Sequence, residues 1–154
     1  MNGLNDFIEE SNRIEGIKKS PGKEVEAYVK FLALPVVGVA ALEEFVLEIA
    51  RAQLRLIPGM NVRVGKNHVP PAGGPGIPKR LEAILTTPGY APGAPWRTHV
   101  RYETLHPFMD GNGRSGRALW AWMRLREDRD PFALGFLHSA YYEALESQRK
   151  HGQT

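Results

Sequence analysis

Residues 106–117, with the sequence HPFMDGNGRSGR, place several reactive side-chain types within one short segment. Its three glycines allow backbone N–H groups to crowd together, and a helix starting here would add further donors and a positive dipole end. Arg114 and Arg117 would act as cationic clamps on a phosphate chain. Asp110 is a candidate metal ligand, and His106 can take a proton near neutral pH. The pattern therefore predicts a phosphate-binding site beside a base.

The composition is that of an ordinary globular domain. The 154 residues suit one domain spanning 1–154, and 42% hydrophobic with 24% charged residues excludes global disorder and a collagen-like chain. Uninterrupted apolar runs fall short of the roughly 18 to 20 residues of a membrane span, and no basic-then-apolar signal opens the chain. We therefore expect a cytoplasmic protein with no membrane partner.

Cysteine content and net charge further restrict the kinds of site and ligand that the chain can have. The chain has no cysteine, which excludes disulfides, thiol catalysis and cysteine-based zinc sites. Its formal net charge of +3 suits an anionic ligand but is far below that of a dedicated nucleic-acid binder. We therefore do not expect nucleic acid as a partner.

The hydrophobic periodicity predicts a mainly α-helical fold with one small β-hairpin. Apolar residues recur at helical spacing along most of the chain, and Pro35 ends one of these patterns by removing a donor. The chain can turn helical again from Gly113, and because residues 118–123 and Leu125 are apolar almost all round, they indicate a central buried helix. The predicted helices span about 4–17, 23–34, 39–55, 78–86, 96–105, 113–126 and 132–150.

The hairpin is predicted over residues 61–70. Val62 and Val64 alternate with polar neighbours, and Gly65-Lys66-Asn67 has the composition of a turn. Residues 70–95 hold seven of the twelve prolines, which favours an extended segment around the short helix. The predicted elements thus place residues 106–117 in a loop that leads into the buried helix.

The same twelve residues resemble the signature of Fic-domain proteins at every defining position. The resemblance extends to the order of the first three helices, to the hairpin followed by Val69-Pro70-Pro71, and to Tyr102-Glu103-Thr104-Leu105 before the motif. It implies an enzyme that transfers the AMP part of ATP to a Tyr, Thr or Ser hydroxyl of a target protein. It also leaves a homodimer open.

The resemblance implies a role for each matching residue. His106 would be the general base, and Asp110 would hold Mg²⁺ against the α- and β-phosphates. Arg114 would neutralise the β-phosphate and Arg117 the γ-phosphate. The anion cradle would consist of Gly111, Asn112 and Gly113.

The hairpin matches the flap to which, in this family, an extended target segment adds as a strand. The docking residues would then be Val62, Arg63 and Val64.

Near the amino terminus, Ser11-Asn12-Arg13-Ile14-Glu15-Gly16 resembles the family's inhibitory motif. Ser11 and Glu15 share one helical face with Leu4 and Ile8. An inward carboxylate needs a partner, and the resemblance implies that Glu15 pairs with Arg117. We therefore expect autoinhibition in cis by the helix over about 4–17.

Several alternatives remain open. Death-on-curing relatives, which phosphorylate, usually have lysine where this chain has Gly113, so this residue favours nucleotidyl transfer. UMP, GMP or phosphocholine could replace AMP, because the base pocket has no signature. Removal of AMP, with Glu15 aligning a water, and a non-catalytic nucleotide-binding regulator are further alternatives.

Overall fold

The computed structural model describes residues 3–86, 94–127 and 129–132, and the prediction of a mainly helical fold is confirmed. The helix predicted over 132–150 lies outside the described residues, apart from Phe132 at its start. No helix within these ranges is long and apolar enough to cross a bilayer. The described helices are α1 (Leu4–Ile14), α2 (Glu24–Leu32), α3 (Val39–Ala50), α4 (Gly76–Thr86), α5 (Ala94–Leu105) and α6 (Asn112–Arg126).

The last of these, α6, is the central helix of the domain. It packs against α1, α2, α3 and α5. Every residue from Arg114 to Ala121 is buried. The helix is therefore central as predicted, but its burial is displaced toward the amino terminus, since Trp122, Met123 and Leu125 are only half-buried. Farther along, Trp122 is half-buried and its Nε1 donates a hydrogen bond to the carbonyl of Leu34 at 2.8 Å. The amino-terminal half of α6 is therefore held from several sides.

The third helix ends at Ala50, before the predicted end at Arg55. Arg51 has left-handed backbone with φ of 51°, a conformation that ends a helix. The chain beyond it forms an antiparallel bridge between Leu54 and Phe108. Leu54 continued the helical apolar spacing, although its burial comes from pairing with the loop before α6.

The predicted hairpin over 61–70 is reduced to a single bridge. Val64 pairs with His68, and the backbone N–H of Val64 donates to the carbonyl of His68 at 3.2 Å. The next hydrogen-bonded pair in this register would join Val62 to Pro70, but proline has no N–H to donate. A turn with one backbone pair remains.

The first helix is also shorter than the predicted span of 4–17. It ends at Ile14, so that Glu15 is its C-cap residue and lies just after its last turn. Gly16 follows with φ of 78°, a left-handed conformation that glycine adopts easily. The apolar face of α1 is nonetheless buried in the core through Leu4, Phe7 and Ile8. The bounds of the remaining helices differ from the predictions by a few residues.

Candidate functional site

A cleft of about 440 Å³ lies at the amino-terminal end of α6. It brings together most of the residues for which the sequence predicts a role, including the flap residues and the carboxylate after α1. Its walls consist of Glu15, Val62, Arg63, Val64, Gly65, Glu103, His106, Met109, Asp110, Gly111, Asn112, Gly113 and Arg117.

His106 is oriented by hydrogen-bond acceptors on its Nδ1 side. Nδ1 lies 3.3 Å from the backbone carbonyl of Glu103 and 4.0 Å from its Oε2. Because a carbonyl only accepts hydrogen bonds, Nδ1 carries the hydrogen and Nε2 carries the lone pair in the neutral ring. The arrangement therefore suits His106 to accept a proton at Nε2.

The start of α6 presents backbone amides that make no intrahelical hydrogen bond. Gly111 is its N-cap with φ of 79°, and a Cβ there would lie 2.8 Å from the Cβ of Ala50. The amide of Ser115 donates to the carbonyl of Gly111 at 2.9 Å, so the amides of residues 112–114 precede the first intrahelical bond. Such amides and the helix dipole attract a phosphate. The predicted cradle is thus well placed at the cleft wall.

The side chain of Asn112 is occupied within the loop. Its Oδ1 accepts from the amide of Phe108 and its Nδ2 donates to the Phe108 carbonyl, both at 2.8 Å. Asn112 is also buried. Its predicted contribution to the anion cradle therefore falls to its backbone N–H, while the side chain closes the loop.

Arg114 lies beside the cleft rather than in its wall. Its Nη1 donates to the carbonyl of Ile49 at 3.1 Å, near the carboxyl end of α3. Nη2 lies 3.9 Å from Oδ1 of Asp110. Its positive charge therefore lies close to the predicted metal ligand, but its strongest contact is with α3.

Arg117 is fully buried and is held from the side of α1. Its Nε donates to the hydroxyl of Ser11 at 2.7 Å, and its Nη2 donates to the Ser11 carbonyl at 3.0 Å. Nη2 also lies 2.7 Å from Oε1 of Glu15, whose side chain is one-third exposed at 33%. The structure thus brings together the three residues that the inhibitory prediction named.

Because Gly113 has no side chain, the carboxylate of Glu15 can lie directly against it. A Cβ at Gly113 would lie 2.1 Å from Oε1 of Glu15 and 3.1 Å from both Nη atoms of Arg117. No side chain fits between these groups without displacing the carboxylate. The same glycine therefore serves both the predicted anion cradle and the contact between Glu15 and Arg117.

Asp110 suits a magnesium ion better than a metal that needs a full protein cage. Its side chain is 74% exposed in the cleft wall, and its Oδ1 accepts from the amide of Gly111 at 2.7 Å. Across 3–86, 94–127 and 129–132, no group of three or more His, Asp or Glu side chains is placed to hold a metal. Mg²⁺ commonly binds one or two carboxylates and completes its shell with water and phosphate oxygens. The donor set fits it.

Several residues at the site received no role from the sequence. Glu103, Gly65 and Met109 line the cleft, and Arg55 is buried behind it. Glu103 lies on α5 and precedes His106 by three residues, so a carboxylate this near a candidate base is the signal that could have identified it. Arg55 lies between leucines, and a lone charge in an apolar segment is the signal that could have identified it.

Comparison with known proteins agrees with this geometry. The sequence model of the Fic/DOC family matches residues 41–123, a range that includes the whole 106–117 segment and the flap. It begins after α1, so Ser11 and Glu15 lie outside the match. A search of curated proteins finds no significant match. Because the family match covers more than half of the chain, the chain belongs to the Fic/DOC family.

Proposed function

We propose that this chain is a protein adenylyltransferase that transfers AMP from ATP to a Tyr, Thr or Ser hydroxyl of a target protein. One observation carries the proposal: His106, Asp110 and Arg117 line a single cleft at the amino-terminal end of α6. A base, a metal-binding carboxylate and a cation beside a helix N-terminus are the groups that phosphate transfer requires. Membership of the Fic/DOC family supports a transferase of this kind.

In the proposed reaction, His106 accepts the proton of the target hydroxyl. The proton moves to Nε2 as the hydroxyl oxygen forms a bond to the α-phosphorus of ATP. The bond from that phosphorus to the oxygen shared with the β-phosphate breaks, and pyrophosphate leaves. The hydrogen bond from Nδ1 to the Glu103 carbonyl keeps the ring in the accepting tautomer. A general base of this type contributes about a hundred- to ten-thousand-fold in rate.

The nucleotide would be held chiefly by the start of α6. The backbone amides of Asn112 and Gly113 would bind phosphate oxygens, whereas the amide of Gly111, predicted to join them, donates to Oδ1 of Asp110 at 2.7 Å. The β- and γ-phosphates are assigned to Arg114 and Arg117 by resemblance to the family. Asp110 would hold Mg²⁺, which when bound supplies positive charge against the departing pyrophosphate. These groups position the triphosphate and stabilise its charge.

The flap residues Val62, Arg63 and Val64 would dock the target. They line the cleft that also contains His106. Backbone groups of an exposed segment can pair with almost any extended peptide. Docking here would bring a target hydroxyl to the base without demanding a particular target sequence.

The contacts around Arg117 support autoinhibition by α1. Glu15 contacts the same guanidinium that the γ-phosphate would use. While this contact holds, a bound triphosphate meets a carboxylate in place of an available cation, and repulsion between the two anions displaces it from the reactive position. We therefore propose that the structure represents the resting enzyme and that Ser11 and Glu15 maintain it.

Labelled ATP tests the proposal. The Glu15→Gly protein is incubated with Mg²⁺ and ATP labelled at the α-phosphate, and labelled protein is separated on a denaturing gel. We expect strong labelling that His106→Ala abolishes in the same background. Glu10→Gly makes the same substitution at an exposed position of α1 and should label no more than the unmodified protein.

The remaining outcomes would contradict the proposal in distinct ways. Label transferred only from the γ-phosphate would identify a kinase. Tight ATP binding without any transfer would identify a nucleotide-binding regulator. Equal and substantial labelling with and without Glu15 would reject autoinhibition while leaving the transferase in place.

A further inference from the structure

Arg55 is a buried cation behind the cleft. Its side chain has no exposed surface, and it donates four hydrogen bonds, all to backbone carbonyls. Nε donates to His106 at 2.8 Å and Nη2 to Leu105 at 2.9 Å. Nη1 donates to Met60 at 3.2 Å and to Pro71 at 2.7 Å. Burial lowers the pKa of Arg55, but an arginine stays charged at neutral pH. The four carbonyl dipoles therefore stabilise the buried positive charge.

The four carbonyls come from two places that the sequence keeps far apart. Leu105 ends α5 and His106 begins the loop that leads into α6. Met60 and Pro71 bracket the flap segment on its two sides. One planar guanidinium therefore joins both ends of the flap to the residue that carries the proposed base.

The backbone of His106 needs such support. Its φ of 52° is left-handed, a conformation that is costly for a residue other than glycine and persists only where the surroundings hold it. The guanidinium of Arg55 binds the carbonyl of His106 itself. The backbone amide of Arg55 donates to the carbonyl of Pro107 at 2.9 Å. With the bond to Leu105, Arg55 thus binds three successive carbonyls at the point where the chain turns.

We propose that Arg55 is a positioning residue that fixes the catalytic His106 and the target-docking flap relative to each other. The inference rests on the proposed function, because both roles are assigned there. It makes the alignment between the base and the docked hydroxyl depend on a side chain that touches neither substrate. A displacement of about 1 Å in such an alignment can cost about a hundredfold in rate.

Arg55→Lys in the active Glu15→Gly background tests this coupling. Lysine keeps the charge, but its single nitrogen cannot supply the planar fork that reaches four carbonyls. We expect kcat for target modification to fall by about ten- to a hundredfold. The affinity for ATP, measured by calorimetry, should stay unchanged because the proposed phosphate-binding groups lie at the start of α6, whereas the Arg55 side chain bonds Met60, Pro71, Leu105 and His106.

Trp122→Phe is the matched control. It removes a half-buried side-chain bond to the carbonyl of Leu34, remote from the cleft, and should lower stability without lowering kcat. An Arg55→Lys protein with unchanged kcat would overturn the inference. A loss of ATP affinity equal to the loss in kcat would also overturn it, since that result indicates general disruption of the fold.

Amide hydrogen exchange of the unmodified protein supplies a test that needs no variant and no activity. The amide of Gly73 donates to Asn61 of the flap, and that of Gly74 donates to the carbonyl of Arg55. In low urea, these two amides and those of Phe108 and Met109 in the loop should open together, with one common free energy and urea dependence. Independent opening of the two groups would contradict the coupling. If the chain transfers no AMP, the proposed function fails while common opening still supports the role of Arg55 in the fold.

Discussion

Nη2 of Arg117 lies 2.7 Å from Oε1 of Glu15, which joins residues 102 positions apart in the sequence. The arginine is fully buried and belongs to α6, whereas the carboxylate lies at the end of α1. Ser11 accepts two further hydrogen bonds from the same guanidinium. A charge that the proposed chemistry needs is thus engaged by the first helix of the chain.

Ser11→Ala should separate the two contributions to this contact. The substitution removes the acceptor of Nε at 2.7 Å but leaves the Ser11 carbonyl and Glu15 in place. Because it leaves a buried charged donor without its acceptor, we expect the free energy of unfolding to fall by about 1–3 kcal/mol. The rate of AMP transfer by the Ser11→Ala protein should lie between the rates of the unmodified and Glu15→Gly proteins.

Urea unfolding and α-label transfer measure the two effects of Ser11→Ala. Ser20→Ala, at an exposed position, is the control and should change neither. Activation by Ser11→Ala as strong as that of Glu15→Gly would show that the carboxylate is not the main inhibitory group.

Gly113→Ala should act through Glu15. The new Cβ would lie 2.1 Å from Oε1 of Glu15, so the unmodified protein must move its carboxylate to accept it. In a Glu15→Ala background this clash is absent, so Gly113→Ala should lower the free energy of unfolding by less. A double-mutant cycle of unfolding free energies should give a coupling of about 0.5–3 kcal/mol. Strictly additive effects would show that Glu15 does not occupy this space.

Asp110→Asn should change the magnesium requirement and not the stability. The side chain is 74% exposed, so its loss of charge should leave the unfolding free energy within about 0.5 kcal/mol. Because an amide is a weaker ligand for a hard cation, the Mg²⁺ concentration for half-maximal transfer should rise about tenfold or more. The measurement is a magnesium titration of the Glu15→Gly protein, with Asp6→Asn on α1 as the control. Identical titrations would exclude Asp110 as the ligand.

Gly111→Ala should destabilise the start of α6. Its φ of 79° is left-handed and its Cβ would meet Ala50 at 2.8 Å, so alanine introduces both backbone strain and overpacking. We expect a loss of about 1–3 kcal/mol in thermal or urea unfolding. Gly76→Ala adds the same methyl group where no atom lies within 4 Å and should cost little. Equal losses at the two positions would contradict this account.

The sequence predicted best what depends on local spacing. His106, Asp110 and Gly111 lie within six residues of one another, so a turn into a helix brings them to one cleft whatever surrounds it. The burial of residues 118–121 in α6 was predicted for a similarly local reason, because an apolar segment must find a core.

Features that depend on packing between elements were harder to predict. The orientation of Arg114 toward Ile49 depends on how α6 crosses the end of α3. The burial of Leu54 comes from a bridge to Phe108 that no local pattern encodes. The single pair in the flap follows from Pro70 only once the register of Val64 with His68 is known.

The position of Glu15 sets how much of the protein has to move for activation. The preceding turns of α1 insert Leu4, Phe7 and Ile8 into the common core, so detaching the whole helix would cost a large part of the domain's stability. Glu15, however, follows the final turn and precedes a left-handed glycine, where helices fray most readily. A target or ligand that unwinds this one turn could switch the proposed enzyme on while the domain stays folded.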